Sequence, residues 1–513
     1  MQPVLASVTS AASSADNSWT ASLERFFNDG AKILDDAAGY LFLYLLAWLL
    51  VLGGLYFTVR TGFVQLRLFP YMVRAITSSR DSKEGGISSF QAFAVGLASR
   101  VGTGNIVGVA IAITMGGPGA VFWMWIVALV GMATGFIEAT LAQLYKVTHP
   151  DGTFRGGPAF YIQRGLGSRT WGVVFALFLI CSFGISFEMV QANTIAATLE
   201  TQFKMSPWAT AAILLVLCGP IVYGGLKAVA KASEIVAPLM AIVYIGLAVA
   251  VVLMNLDKVG PTFSLIVENA FGLRETLGGL AGSMSAAMMN GVRRGLFSNE
   301  AGEGSAPNAA STAHVTHPAK QGLIQSAGVF VDTILVCSAT AFILFNADPE
   351  ALKPYWASSD PAGADMTITA LESTLGSWAG PVMVVLICVF AGSSVIGNFA
   401  YAEVNMDFLT KGKAWGDKLL KAIVIVSIVL GSVAELKLVW NFADLTMTGM
   451  ALINIVSIVM LGKWAFGALQ DYLRNRERPF VATGNPSMPG ELPTDIWVHG
   501  GTDLPSGSNA AVS

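Results

Sequence analysis

Charge is scarce in this chain. Asp, Glu, Lys and Arg make up 12% of its 513 residues, about half the share of an ordinary soluble domain, which argues against a largely hydrated surface. Cysteine is rarer still: Cys181, Cys218, Cys337 and Cys388 each lie inside an apolar segment without a near neighbour, so neither a disulfide framework nor a thiolate metal centre is suggested. The histidines His149, His314, His317 and His499 are scattered; His314 and His317 fall three apart, but nothing nearby completes a ligand set. No long basic run stands out and the net charge is −3, which gives no ground for nucleic-acid binding. No nucleophile, base and orienter stand at a recognisable spacing, so the chain does not read as an enzyme. Residues 1–38 lack a basic start followed by an apolar core and do not read as a cleaved signal peptide. Mixed and polar, they are expected as an extracytoplasmic segment.

What the chain has in abundance is apolar sequence: 54% of residues are hydrophobic and the mean hydropathy is +0.62, the composition of a polytopic membrane protein. Apolar spans fall near 40–57, 90–113, 120–145, 171–198, 208–223, 235–254, 277–292, 324–345, 379–400, 422–434 and 440–461, about eleven in all. Alternate loops are basic: Arg60 to Lys83, Lys146 to Arg169, Lys227 and Lys231, Arg293 with Arg294 and Lys320, Lys411 to Lys421, and the tail from Lys463. The positive-inside rule places these in the cytoplasm, with the amino terminus outside and the carboxyl terminus inside. The loop at 346–378 carries five carboxylates against the single Lys353 and belongs outside.

The stretch Ser99 to Ala112, SRVGTGNIVGVAIA, is poor helix inside a lipid-compatible run. A helix broken at bilayer depth survives where its freed amides and carbonyls face a ligand, an ion or water. A half-helix starting near Asn105 points its positive end at an anion, while a half ending near Val101 offers carbonyls to a cation. With the first span set aside, the remaining ten divide into two sets of five of opposite orientation, the arithmetic of an inverted repeat. The expected organisation is an extra helix at 39–58, a cytoplasmic basic connector at 59–89, repeats at 90–255 and 256–466, and a disordered cytoplasmic tail at 467–513. The second repeat opens with its own glycine and serine cluster, Gly278-Gly279 then Gly282-Ser283-Met284-Ser285, which is expected to match the first break and contribute to the site through Gly282, Ser283 and Ser285.

RVGTGNIVGVA, the run from Gly116 to Lys146, and RGLFSNEAGEGSAPNAA at 294–310 closely resemble the alanine or glycine:cation symporters, secondary transporters of small neutral amino acids. The resemblance extends over roughly residues 40–465 and implies a LeuT-type fold, all-α, with ten core helices in two inverted repeats and here one extra helix in front. In that fold the amides of the first break, here Gly102, Thr103 and Gly104, take the substrate carboxylate. Sodium then faces the Ala98 and Val101 carbonyls together with Phe390, Ser393 and Ser394 of the eighth core helix, hard oxygen donors suited to such a cation. Gln191 and Asn398 are implied substrate contacts, and Asn105 a contact for a second cation or for the substrate.

The chain departs from the family pattern at two places. Glu188 stands where an amide or small residue is usual, and a carboxylate at that depth is a functional candidate, for the substrate ammonium or for a proton, unless it pairs with Arg100. Asn398 stands near a position often held by tryptophan, which would enlarge the pocket toward serine or glutamine. SNEAGEGSAP at 298–307 is read as a cytoplasmic gate or packing turn, its Glu300 and Glu303 pairing with Arg293 and Arg294. The function implied is sodium-coupled symport of alanine, glycine and similar neutral amino acids by alternating access at the inner membrane of a prokaryote. Proton-coupled transport through Glu188 is the rival reading. An ion channel or ligand-gated pore stands further off. Sequence says nothing about oligomeric state.

Overall fold

A computed structural model describes residues 39–77, 87–272, 280–357, 362–474, 476 and 478–498. Among the described residues the only strands are the hairpin pair Val147–Thr148 and Phe154–Arg155; the remaining elements are helices. That is the outcome expected in lipid, where a spanning segment must satisfy its own backbone.

Helices stand at each of the eleven apolar places. They are α1 (42–60), α2 (Ser89–Arg100 and Gly104–Gly116), α3 (Ala120–Leu144), α4 (Arg169–Phe203), α5 (Pro207–Tyr223), α6 (Gly225–Met254), α7 (Leu280–Asn299), α8 (Pro318–Asn346), α9 (Ala379–Thr410), α10 (Ala414–Val433) and α11 (Leu436–Arg474). Six of them, α3, α4, α6, α8, α9 and α11, are long and apolar enough to cross a bilayer singly, and the two halves of α2 do so together, bent by 50°. Apolar side chains left exposed on α5 and α6, such as Val216, Leu217, Ile235 and Ile242, are the surface that lipid covers.

Local chemistry sets the ends. Helix α2 opens on a capping box, in which Ser88 Oγ accepts from the Gln91 amide at 3.0 Å and the Ser88 amide donates to Gln91 Oε1 at 2.9 Å. The α2–α3 hairpin turns on Gly117, φ 73°, and closes on Gly119, whose missing Cβ would overlap the backbone of Ala270. Helix α3 is the central strut: it packs against α7, α8 and α1, and every residue from Gly131 to Leu144 is buried.

Three expectations are corrected here. The second repeat is interrupted after α7: Glu300, Gly302 and Gly304 take φ of 58°, 99° and 84°, and helix resumes at Ala306–Thr312. Gly278 and Gly279 lie outside the described residues, while 282–285 run inside the continuous helix α7. Here the small residues at 282–285 do not break the helix, whereas the residues held at positive φ from 300 to 304 do.

Arg293 and Arg294 do not sit in a basic loop with Lys320. They lie within α7, on the side of its break that faces the α2–α3 hairpin, where Gly116 comes against Asn290. Lys146 follows the opposite end of α3. The tail is ordered well past residue 467, with α11 running to Arg474 and residues 478–498 packed so that Phe480 and Trp497 are buried. Residues 1–38, 78–86 of the connector and 499–513 lie outside the described residues.

Candidate functional site

Helix α2 stops at Val101, whose ψ of 85° leaves the helical region, and two sets of groups gather around the break. On one side are oxygens. Ser394 Oγ donates toward the Ala98 and Ser99 carbonyls at 2.9 and 3.0 Å and lies 3.2 Å from the Phe390 carbonyl. Ser393 Oγ lies 2.8 Å from Phe390 O and 3.5 Å from Ala98 O. These groups are buried, carry no formal charge and are all hard donors, and the last turn of α2's first half adds the buried Val101 backbone. Such a set fits a monovalent cation, toward which the hydroxyls would turn lone pairs.

On the other side are amides. The Gly102 amide donates to Asn105 Oδ1 at 2.9 Å, and the Thr103 amide and hydroxyl donate to Gln191 Oε1 at 3.2 and 2.5 Å. These N–H groups hold side-chain oxygens instead of helix carbonyls, so a carboxylate can replace their partners without unwinding anything. Gly102 stands between the two sets: a Cβ there would overlap Ser394 Oγ and lie 3.3 Å from Gln191 Oε1. Gly104 also needs to be glycine, since a Cβ would come within 2.9 Å of the Phe297 ring.

Asn105 leads to a buried network that sequence reasoning did not assemble. Its Nδ2 donates to Asp332 Oδ1 at 2.6 Å and to Ser298 Oγ at 3.0 Å, and Asp332 Oδ2 accepts from Ser298 and Thr333 at 2.8 and 2.7 Å. Thr340 donates to the Asn105 carbonyl at 2.6 Å. The signal was there, in an aspartate at the middle of the apolar run FVDTIL of α8 and in the serine that opens the SNEAG motif.

The second break is held differently. Glu138 of α3 accepts from the Gly302 amide at 3.1 Å and from Asn454 Nδ2, which in turn donates to the Gly302 carbonyl at 3.0 Å; Tyr161 closes the chain onto Asn454. Glu300 lies 2.8 Å from Ser99 Oγ, receives Ser305 at 2.7 Å and faces Arg100 Nε at 3.9 Å. Ser99 Oγ is also 2.7 Å from Asn398 Oδ1. Ser99 therefore links the first break to Glu300 of the second, and Asn398 is held against Ser99 where the enlarged pocket was expected.

Other expectations meet the structure less well. Glu188 does not pair with Arg100, which turns to Glu300 and to the Gln325 carbonyl. Glu188 is fully buried on α4, one turn before Gln191, and neither of its oxygens has a hydrogen-bond partner among the described residues. Ser285 is not brought to the site, and Gly282 and Ser283 lie earlier still along the helical backbone of α7. Ser285 is exposed and stands about 20 Å along α7 from Ser298, at 1.5 Å per residue. Arg294 pairs with Asp444 instead of Glu300 or Glu303, and its guanidinium lies 4.6 Å over Trp440, which packs on Phe297 at 4.5 Å; Phe297 stacks on Phe187 at 4.4 Å. This aromatic pile, capped by an ion pair, closes the break from the side of the α2–α3 hairpin.

Residues 28–482 match the sodium:alanine symporter family. The chain belongs to that family. It is 45% identical over 480 residues to the amino-acid carrier protein AlsT of Bacillus subtilis, covering 93% of this chain and 98% of that one. It is also 45% identical over 437 residues to the probable sodium/glutamine symporter GlnT of the same organism, covering 84% and 88%. In fold it is similar to MhsT solved with L-phenylalanine, with TM-score 0.57 and 16% identity over 76% of this chain and 93% of that one. The protein is thus an integral membrane transporter of the LeuT-like type and not an enzyme.

Proposed function

We propose that this transporter couples sodium to the inward movement of small neutral amino acids, alanine and glycine first and serine or glutamine next, by alternating access around the first break. The observation that carries this reading is the position of Gly102, with carboxylate-seeking amides on one face and the Ser394 hydroxyl against the other. Substrate carboxylate takes the Gly102, Thr103 and Gly104 amides in place of Asn105 and Gln191. Ala98, Val101, Phe390, Ser393 and Ser394 would hold the sodium ion, which supplies positive charge beside the carboxylate. Each ligand then favours the backbone arrangement the other needs, which is coupling. Phe187, Phe297 and Trp440 limit the side-chain space and form the outer gate, latched by Arg294 and Asp444. The end that carries Lys146, Arg155, Lys320 and Lys411 is cytoplasmic by its charge. Asn105, bridging Gly102 to Asp332, is the contact for a second cation or for the substrate. The close likeness to GlnT favours testing glutamine beside alanine.

A second reading rests on Glu188. A buried carboxyl group with no hydrogen-bond partner among the described residues, one turn from Gln191, is a proton carrier in a proton-coupled version of the same cycle. Uptake of labelled alanine, glycine, serine and glutamine into proteoliposomes separates the two. Uptake driven by a sodium gradient at equal pH on both sides supports the first. Uptake that follows a pH gradient, ignores sodium and is lost in Glu188→Gln overturns it in favour of the second.

A further inference from the structure

Residues 478–498 leave α11 and return across the end of the bundle where both broken helices have their outer termini. The contacts are specific. The Phe480 amide donates to Thr316 O at 2.8 Å, the Ala482 amide to Trp497 O at 2.8 Å, and the Trp497 indole to Gln143 O at 2.8 Å. Trp497 and Phe480 are both fully buried and meet edge to face at 5.6 Å. Burial holds the His317 imidazole below its ordinary value, against the raising effect of Asp471. Its Nδ1 accepts from Ala319 at 3.1 Å while its ring packs on Phe480.

What Trp497 touches is the place where the ends of the two broken helices meet. Gln143, whose carbonyl takes the indole, sends its own amide to the Ala310 and Ala313 carbonyls at 2.5 and 3.0 Å. Lys146 donates to the same Ala313 carbonyl at 2.9 Å, with its amine 4.0 Å from the Phe154 ring centre and 5.1 Å from that of Trp497. Ala313 ends the short helix after the second break, and it pairs with Ile87 at the start of α2, where the His314 amide donates to Ile87 O at 3.0 Å. One aromatic side chain of the tail, Trp497, therefore closes over the point where the ends of the two broken helices are stapled together. Parting Ile87 from Ala313 would free the two helix ends to separate at this face.

We propose that residues 480–498 are a strap that holds the cytoplasmic ends of the two broken helices together and sets how often the transporter opens to that side. This rests on the reading of the chain as an alternating-access transporter. The segment 87–92 and the segment 308–316 are the parts it restrains, through Trp497, Gln143 and Lys146. Loosening it favours the inward-open state, which raises the rate of substrate release and lowers the apparent affinity from outside.

The test uses the full chain with Trp497→Ala, Trp497→Phe and wild type, read by hydrogen–deuterium exchange and by sodium-driven alanine uptake. Trp497→Ala is expected to speed exchange in 87–92 and 308–316 by about fivefold, the scale set by one lost buried hydrogen bond with its packing. Exchange in 131–141 of α3 stays slow, and the maximal uptake rate and KM move together while the half-saturating sodium concentration does not. Trp497→Phe, which keeps one aromatic ring but loses the N–H and the second ring of the indole, moves in the same direction by less and decides the matter if the alanine variant fails to fold. Exchange in both peptides equal to wild type, or faster exchange with uptake unchanged, overturns the strap. Wild type that shows no sodium-driven uptake contradicts the transport reading itself and is recognised before any variant is compared.

Discussion

The two breaks do opposite things with the same defect. At 101–103 the freed amides hold only side-chain oxygens, and uncharged hydroxyls crowd the carbonyls. At 300–305 the Gly302 amide also holds a side-chain oxygen, that of Glu138, but its carbonyl is bonded too, by Asn454, which itself donates to Glu138, so one braced pair grips both polar groups, and carboxylates line the turn. The first break has partners that a ligand can replace; the second has partners that fix its shape. A broken membrane helix is thus a site only where its loose ends are left exchangeable.

Paired glycine substitutions break this comparison most sharply. Gly102→Ala puts a methyl group on Ser394 Oγ at a position whose backbone is not in the left-handed region. The expected result is a folded protein whose sodium-driven uptake falls at least about a hundredfold, ~2.7 kcal/mol of lost ligand binding. Gly302→Ala forces φ 99° on an L-residue and drives a methyl group to 2.5 Å from Leu50 of α1, so a loss of about 1–3 kcal/mol in stability is expected, seen as a lower Tm in detergent. The opposite pattern would mean the roles of the breaks are reversed.

Ser394→Ala comes next and should raise the half-saturating sodium concentration about tenfold, ~1.4 kcal/mol, with Tm little changed. Glu138→Gln sharpens the other half: it should cost about 1–3 kcal/mol in stability by disturbing the brace on Gly302, and leave half-saturating sodium within about twofold. Glu188→Gln is expected to have the smallest effect, uptake that keeps its sodium dependence within about twofold, because an amide fills the same space and the carboxyl group makes no hydrogen bond among the described residues.

Much of this was legible in residues. The first break showed itself as Gly-Thr-Gly inside apolar sequence, and Ser393 and Ser394 followed from the family likeness. The second break did not, because a cluster of small residues at 278–285 looked more like an interruption than NEAGEG, although it is NEAGEG that places three residues, Glu300, Gly302 and Gly304, at positive φ. Arg293 and Arg294 misled for a related reason: counting loop charge assumes that charge lies in loops, whereas Arg294 is inside α7 and neutralised by Asp444 from α11. The tail was read as disordered from its Gly, Pro and Ser content, and two aromatic residues, Phe480 and Trp497, were enough to fasten it. Long-range pairings such as Asn105 with Asp332 join residues more than 200 apart, and no local pattern contains them.

The central claim is that sodium and substrate bind on two faces of Gly102 and reinforce one another. It is tested most directly by measuring alanine affinity in purified protein at low and high sodium, for wild type and Ser394→Ala. The expected result is that sodium tightens alanine binding in wild type, and that Ser394→Ala loses most of this gain while its affinity without sodium stays near that of wild type. Alanine binding that ignores sodium in wild type, or a Ser394→Ala protein with the full sodium effect, would contradict it.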